Sequence, residues 1–339
     1  MDVGWPAGAS LTWASGLAAL LIPVGVLANL ALLLLNLTKT LDVDIWNYWV
    51  FGFSGAIIMA MTGSLVWGLA AFIVTEIVIL KVADLTAPRV HEYFGMPGIS
   101  IPHGNAAPFA ILAMGLEKVY NSIPGFRNWK LDAETTRKRL GVVGEPIFIG
   151  LVLGLVVSAL ARYDLKGILT TSVSLAAAMV ILPKMVAFLM EGLIPISEAA
   201  GEWLKKRAPG REVNIGLDAA VLAGDPSVLA TGLLLIPITI GLAIILPGNR
   251  VLPFADVVGL PFVVSLVVPM HRGNVLRSLI TGVFVAAIAL WIGTDLAPMF
   301  TTAAQAAGVQ FPEGATSVVS LLGGTSPVTW LMSLLARLF

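Results

Sequence analysis

The chain has 339 residues, 58% of them hydrophobic and only 12% charged, with a mean hydropathy of +0.93. That is too apolar for one water-soluble core, and charge-free runs longer than the roughly 20 residues of a spanning helix, without the alternation of a barrel strand, indicate an all-α polytopic membrane protein. Zero net charge argues against a nucleic-acid partner, and the absence of cysteine removes disulfides, thiolate metal sites and any phosphocysteine from this chain.

In chain order, a first hydrophobic helix is expected over Leu11–Leu37, entered through WPAGASLTW with Trp5 and Trp13 at an interface. A polar turn, Thr38–Asp44, follows. Ile45–Thr75 suits a tight hairpin broken at Gly63 and Ser64 better than one tilted span. Between Gly95 and Ala110 three prolines and three glycines keep the chain out of a helix, and the short apolar piece Phe109–Leu116 reads as a re-entrant half-helix. Two basic loops come next, about 122–143 with Arg137, Lys138 and Arg139, and about 198–213 with Lys205, Lys206, Arg207 and Arg211. Two spans between them, Pro146–Ala161 and Gly167–Pro183, put both loops on one side, the cytoplasmic one. Pro226–Leu246 then crosses back, Val257–Met270 is a shorter apolar piece, Ser278–Thr294 is another span, and Phe300–Thr316 is loop or half-helix. Fewer residues follow Trp330 than a span needs. No basic region precedes the first helix, so no cleaved signal peptide is expected.

The costliest stretch is Gly216–Asp256. Its charge-free run is bracketed by Asp218 and Asp225 on one side and by Asn249, Arg250 and Asp256 on the other. Pro247, Gly248 and Pro253 break the helix there, and broken polar backbone at membrane depth lines sites. Asp225, followed by proline, is equally an N-cap, so Asp218 and Asp256 are the stronger candidates. A second broken segment carries His103 and Asn105 in IPHGN, where proline and glycine let imidazole and amide face a cavity; a histidine bound to a loop carbonyl is the plain alternative. Glu145, in GEP before a span, is either a site residue or simply a carboxylate at a helix N-terminus. His271-Arg272-Gly273-Asn274 fits an interfacial turn better than a gate. His91, His103 and His271 are too scattered for a metal site, no phosphate-binding loop occurs, and no cofactor or metal is expected.

Two internal echoes, WPAGASLTW (5–13) with LGGTSPVTW (322–330) and GNAAPFA (104–110) with GNRVLPFA (248–255), are the kind of paired Gly/Pro-broken segments found in transporters built from inverted repeats; chance similarity in a Gly/Ala/Pro-rich chain is the alternative.

DVGWP, VDIWN, IPHG, GEP, YDLKG, IGLD, LPGNRVLPFAD, HRGN and SPVTW, in this order, resemble the galactitol-type membrane component, enzyme IIC, of the bacterial phosphoenolpyruvate-dependent sugar phosphotransferase system, in the ascorbate-galactitol superfamily. The resemblance spans nearly the whole chain. It implies one membrane domain over 1–339, with a scaffold part holding a homodimer and a core part, including about 95–120 and 216–270, that moves a polyol across the inner membrane like an elevator. It also implies phosphorylation of that polyol by a phosphocysteine on a separate IIB protein, itself charged by IIA, with membrane lipid as the remaining partner. His103, Asn105, Asn249 and Asp256 are then candidate substrate ligands, and Glu145 or Asp218 the base that takes the hydroxyl proton. Members usually have a further hydrophobic region before DVGWP and another span after SPVTW, so the chain looks shortened at both ends and a transport-incompetent homologue is one expectation. An ion-coupled secondary transporter is the other, since buried aspartates and broken helices also suit cations.

Overall fold

The structure, a computed structural model, describes residues 2, 4–129, 145–160, 162–207, 212–253, 255–311 and 315–338. Its first departure from expectation is the leading helix. Helix α1 (Trp5–Ala14) stops where Ser15 adopts an extended backbone, and helix α2 (Ala18–Leu34) leaves at 92° to the Gly8–Ala14 segment. The Ser15 hydroxyl donates to the Thr12 carbonyl at 2.7 Å, a local bond that competes with continuing the helix. The break falls on Ser15-Gly16, a helix-interrupting pair inside the span expected to be continuous.

The hairpin forms where glycine and serine suggested. Helix α3 (Ile45–Thr62) ends on Gly63 at φ +67°, and Ser64 caps helix α4 (Leu65–Phe94). The two helices approach closely because Gly55 and Gly68 face each other: a Cβ on Gly55 would lie 2.8 Å from the Gly68 carbonyl oxygen. At 30 residues α4 extends well past Thr75 and carries Glu76, Lys81 and Asp84 within it.

Three non-helical stretches pair as a small parallel sheet that composition and periodicity do not reveal. Strand β1 (Thr40–Asp42) and strand β2 (Ile99–Ser100) both pair with strand β3 (Asn214–Gly216), and Gly216 stands opposite both Asp42 and Ser100. A Cβ on Gly216 would lie 2.9 Å from the Asp42 Cα, so the central strand needs glycine at that rung. The sheet brings residues 42–44, 100–105 and 216–218 to one place.

Helix α5 (Ala107–Ser122) begins just after β2, its Pro108 suited to a first helical turn, and at 16 residues it is too short to span. Helix α6 (Pro146–Leu160) packs along helix α7 (Leu165–Arg207). The second of these is 43 residues long and continues through Pro183 and Pro195, so Lys205, Lys206 and Arg207, expected in a loop, close a helix instead. Arg137, Lys138, Arg139 and Arg211 lie outside the described residues.

The remainder comprises helix α8 (Pro226–Ile245), helix α9 (Leu260–Val264), helix α10 (Val267–Met270), helix α11 (Val275–Ala306), helix α12 (Leu321–Gly324) and helix α13 (Pro327–Ala336). Helix α11 runs to Ala306, so Phe300, assigned above to a loop or half-helix, is a fully buried helical residue. Among the described residues α3, α4, α8 and α11 are long and apolar enough to cross a membrane, and the bent pair α1–α2 would make a fifth crossing. The chain is an all-α polytopic membrane protein.

Candidate functional site

The sheet and the breaks around it frame a cavity of about 760 Å³, within the range of roughly 300–1,000 Å³ typical of small-molecule sites. His103, Asn105, Asp218 and Asp256 all line it. They arrive from different directions: β2 leads into His103 and Asn105, β3 leads into Asp218, and the Pro253–Asp256 break delivers Asp256. The rest of the wall is largely aliphatic, with Leu229, Leu233 and Ile236 from α8.

His103 Nδ1 accepts the Asn105 and Ala106 backbone N–H groups at 3.3 Å each, which puts the proton of a neutral imidazole on Nε2. That nitrogen faces Asp218 Oδ2 at 3.6 Å. Asp218 Oδ1 accepts the Ala220 N–H at 2.7 Å, capping a short 3-10 turn, so one oxygen is committed to the fold and the other is turned toward the imidazole. The Asp218 N–H in turn donates to Asp44 Oδ2 at 3.2 Å. Burial pushes the Asp44 carboxyl above its ordinary range against the opposing pull of the Trp46 N–H, and the neighbouring Asp218 adds to the rise.

Asn105 and Asp256 meet on the backbone of one residue. The Asn105 amide donates to the Leu322 carbonyl, while Asp256 Oδ2 accepts the Leu322 N–H at 2.9 Å and the Ser320 hydroxyl at 2.8 Å. The Ser326 hydroxyl donates to the Gly104 carbonyl at 2.9 Å. The LLGGTSP stretch is therefore packed onto IPHGN, and it also meets the first broken helix, where a Cβ on Gly8 would lie 3.2 Å from the Gly323 Cα.

Two expected residues are not in this group. Asn249 spends its amide on the Ala243 and Val251 carbonyls at 2.8 Å each, and its oxygen accepts from the Val251 N–H and Thr294, so it caps the end of α8. Glu145 is exposed at the start of α6 and is not among the residues lining the cavity. Asp225 caps α8, accepting the Ser227 and Val228 N–H groups. The HRGN turn joins α10 to α11, but His271 is buried rather than interfacial, held by Glu117 at 2.7 Å and Thr281 at 2.8 Å. Among the described residues no cluster of three or more His, Asp or Glu could hold a metal ion.

Sequence reasoning missed Asp2, Asp44, Trp46, Trp49 and the LLGG stretch. Trp46 and Trp49 stack in parallel at 5.1 Å and line the cavity. In the sequence Asp44 and Asp2 resemble ordinary turn and terminal residues inside VDIWN and DVGWP. Asp2 is buried, and its oxygens accept the Asp256, Gly4 and Leu321 N–H groups. Burial, with the Asp256 charge added, pushes its carboxyl from 3.8 up to about 7. The folded protein thus keeps a proton that the unfolded chain gives up. Stability from this group is full below pH 4 and is lost as the pH rises to about 7. Thermal unfolding across that window should show the decline in the wild type and a flatter profile in Asp2→Asn; identical slopes would refute the assignment.

The family model for the sugar-specific permease component of the phosphotransferase system (EIIC-GAT) matches residues 1–314. The chain belongs to that family. The permease is 39% identical over 332 residues to the galactitol-specific EIIC components of Escherichia coli K12 and of Escherichia coli O157:H7, covering 98% of this chain and 73% of each relative. It is 42% identical over 337 residues to a K12 protein named only as a permease IIC component, covering 99% of this chain and 77% of that one. Family membership and the apolar helices make the permease a multi-pass protein of the bacterial inner membrane that transports a sugar or polyol in cooperation with IIB and IIA proteins. No finding favours the ion-coupled alternative.

Proposed function

We propose that the permease binds a galactitol-like polyol in the cavity lined by His103, Asn105, Asp218 and Asp256 and presents it to a phosphorylated IIB protein. The observation carrying this reading is the convergence of these four side chains, from separate parts of the chain, on one largely aliphatic cavity. Imidazole, amide and carboxylate suit hydroxyl groups, and the apolar wall suits the carbon backbone. In the transfer step a substrate hydroxyl oxygen attacks the phosphorus of the IIB phosphocysteine, the P–S bond breaks, and the thiolate leaves. The hydroxyl proton passes to Asp218, whose Oδ2 is oriented by the fold and faces His103 Nε2. Its position on the cavity favours Asp218 over Glu145 as the base. A homodimer with a fixed scaffold and an elevator-like moving core is the architecture we adopt for transport, with the broken segments around the cavity in the core.

Uptake of labelled galactitol into proteoliposomes tests the proposal. Accumulation of the phosphorylated polyol should require phosphorylated IIB; accumulation of free polyol driven by an ion gradient without IIB would overturn it.

A further inference from the structure

Glu76 lies inside α4, fully buried, and neither of its carboxylate oxygens has a hydrogen-bond partner. An ionised carboxylate there would be a buried charge without a partner, a costly arrangement in a membrane helix. The hairpin register shows what lies beside it. Gly55 of α3 faces Gly68 and Phe72 of α4. The helices are antiparallel, so each turn back along α3 meets a turn forward along α4, and Asn47 and Tyr48 come level with Glu76.

Two more buried oxygens lack a donor at this level, Asn47 Oδ1 and Asp42 Oδ2. The neighbouring donors bond elsewhere. Asn47 Nδ2 donates to Asp42 Oδ1 at 3.0 Å, Tyr48 to the Asp42 carbonyl at 2.8 Å, and the Asn29 amide to the Thr40 carbonyl at 2.9 Å. Among the described residues no donor reaches the Glu76 carboxylate, Asn47 Oδ1 or Asp42 Oδ2.

The ionisable groups facing Glu76 are Asp42 from β1 and Tyr48 from α3, with Asp44 and Asp218 behind Asp42; α2 contributes the neutral Asn29. Asp84, further along α4, is occupied by Thr38, Thr40 and the Lys39 N–H. Of these, Asp42 raises the cost of a negative charge on Glu76.

We propose that Glu76 is a proton-binding site, its carboxyl kept neutral at the level of Asn47 and Asp42, whose own buried oxygens lack donors. The bound proton is a resident part of the wall behind the cavity. Asp42 Oδ1 accepts the Asp44 N–H at 3.2 Å, and Asp44 receives the Asp218 N–H, so the proton supports the strand end on which Asp218 is seated. Burial, against the Asn47 bond and with Asp44 and Asp218 adding, also pushes the Asp42 carboxyl well above its ordinary range.

Infrared spectroscopy of the purified, full-length chain at alkaline pH tests this without relying on the transport reading. The wild type should show the carbonyl stretch of a protonated carboxyl in sodium and choline buffers alike, and the difference spectrum against Glu76→Gln should contain it. A band that survives in Glu76→Gln, or one that sodium abolishes because a metal cation takes the site, overturns the proposal. Should Glu76→Gln not fold, wild-type protein carrying isotope-labelled glutamate gives the answer: the band shifts if the proton is on Glu76, and an unshifted band assigns it to an aspartate and refutes the inference.

Discussion

Asp218→Asn should slow phosphorylation of bound polyol by roughly a hundred- to ten-thousand-fold, the range that a positioned general base contributes. The amide keeps an oxygen to accept the Ala220 N–H, so the 3-10 turn and the seat of the residue survive. What it loses is the carboxylate to which we assign the hydroxyl proton. Polyol affinity, measured separately by calorimetry, should change far less than the transfer rate from phosphorylated IIB. Glu145→Gln is the matched control: exposed and outside the cavity lining, it should transfer at nearly the wild-type rate. The opposite pattern, with Glu145→Gln inactive and Asp218→Asn unimpaired, would move the base to Glu145.

The second large effect belongs to Asp256→Ala. The Asp256 carboxylate accepts the Ser320 hydroxyl and the Leu322 N–H from a 2% exposed position, so truncation strands two buried donors. At about 1–3 kcal/mol for each unmet group, a loss of about 2–6 kcal/mol of stability is expected, together with loss of polyol binding as the LLGG stretch moves off the cavity. Asp256→Asn retains an acceptor oxygen and should cost much less. It also removes the charge that adds to the burial effect on the Asp2 carboxyl, so it should flatten the pH dependence of unfolding in part, and less than Asp2→Asn does. Thermal unfolding in detergent reads both effects, and an unchanged midpoint for Asp256→Ala would discard the structural role given to this carboxylate.

The fold class was legible because a bilayer imposes it. Charge-free runs of spanning length can be satisfied only by helices, and the hairpin at Gly63 and Ser64 announced itself because glycine and serine interrupt such a run. The two broken segments were legible for the same reason: Pro102, Gly104, Pro247 and Pro253 are conspicuous where helix is otherwise compulsory. Those breaks and the polar residues near them drew attention to His103, Asn105, Asn249 and Asp256, with Asp218 and Glu145 beside spans, and the order of short strings indicated the family.

Several things could not be read in this way. The 92° bend between α1 and α2 falls on Ser15-Gly16, but a Ser-Gly pair inside a run of spanning length does not by itself say whether the helix continues or turns. Strands of two or three residues carry too little pattern to distinguish them from loop, although their pairing aligns Asp42, Ser100 and Gly216. Asn249 and Asn105 sit in similar strings, yet one caps α8 and the other reaches the cavity, because the chain around each runs to different neighbours. Asp2, Asp44 and Glu76 owe their interest to what surrounds them, and that is fixed by contacts across hundreds of residues, such as Asp2 with Asp256. The sequence by itself determined that this chain lives in a membrane, where it must break its helices, and which polar residues stand at the breaks, because in hydrocarbon a polar atom or an interrupted helix is expensive wherever it occurs. Only the tertiary structure decided which of those residues share a cavity, because the pairing of β1, β2 and β3 and the close glycine contacts between helices depend on segments far apart in the chain.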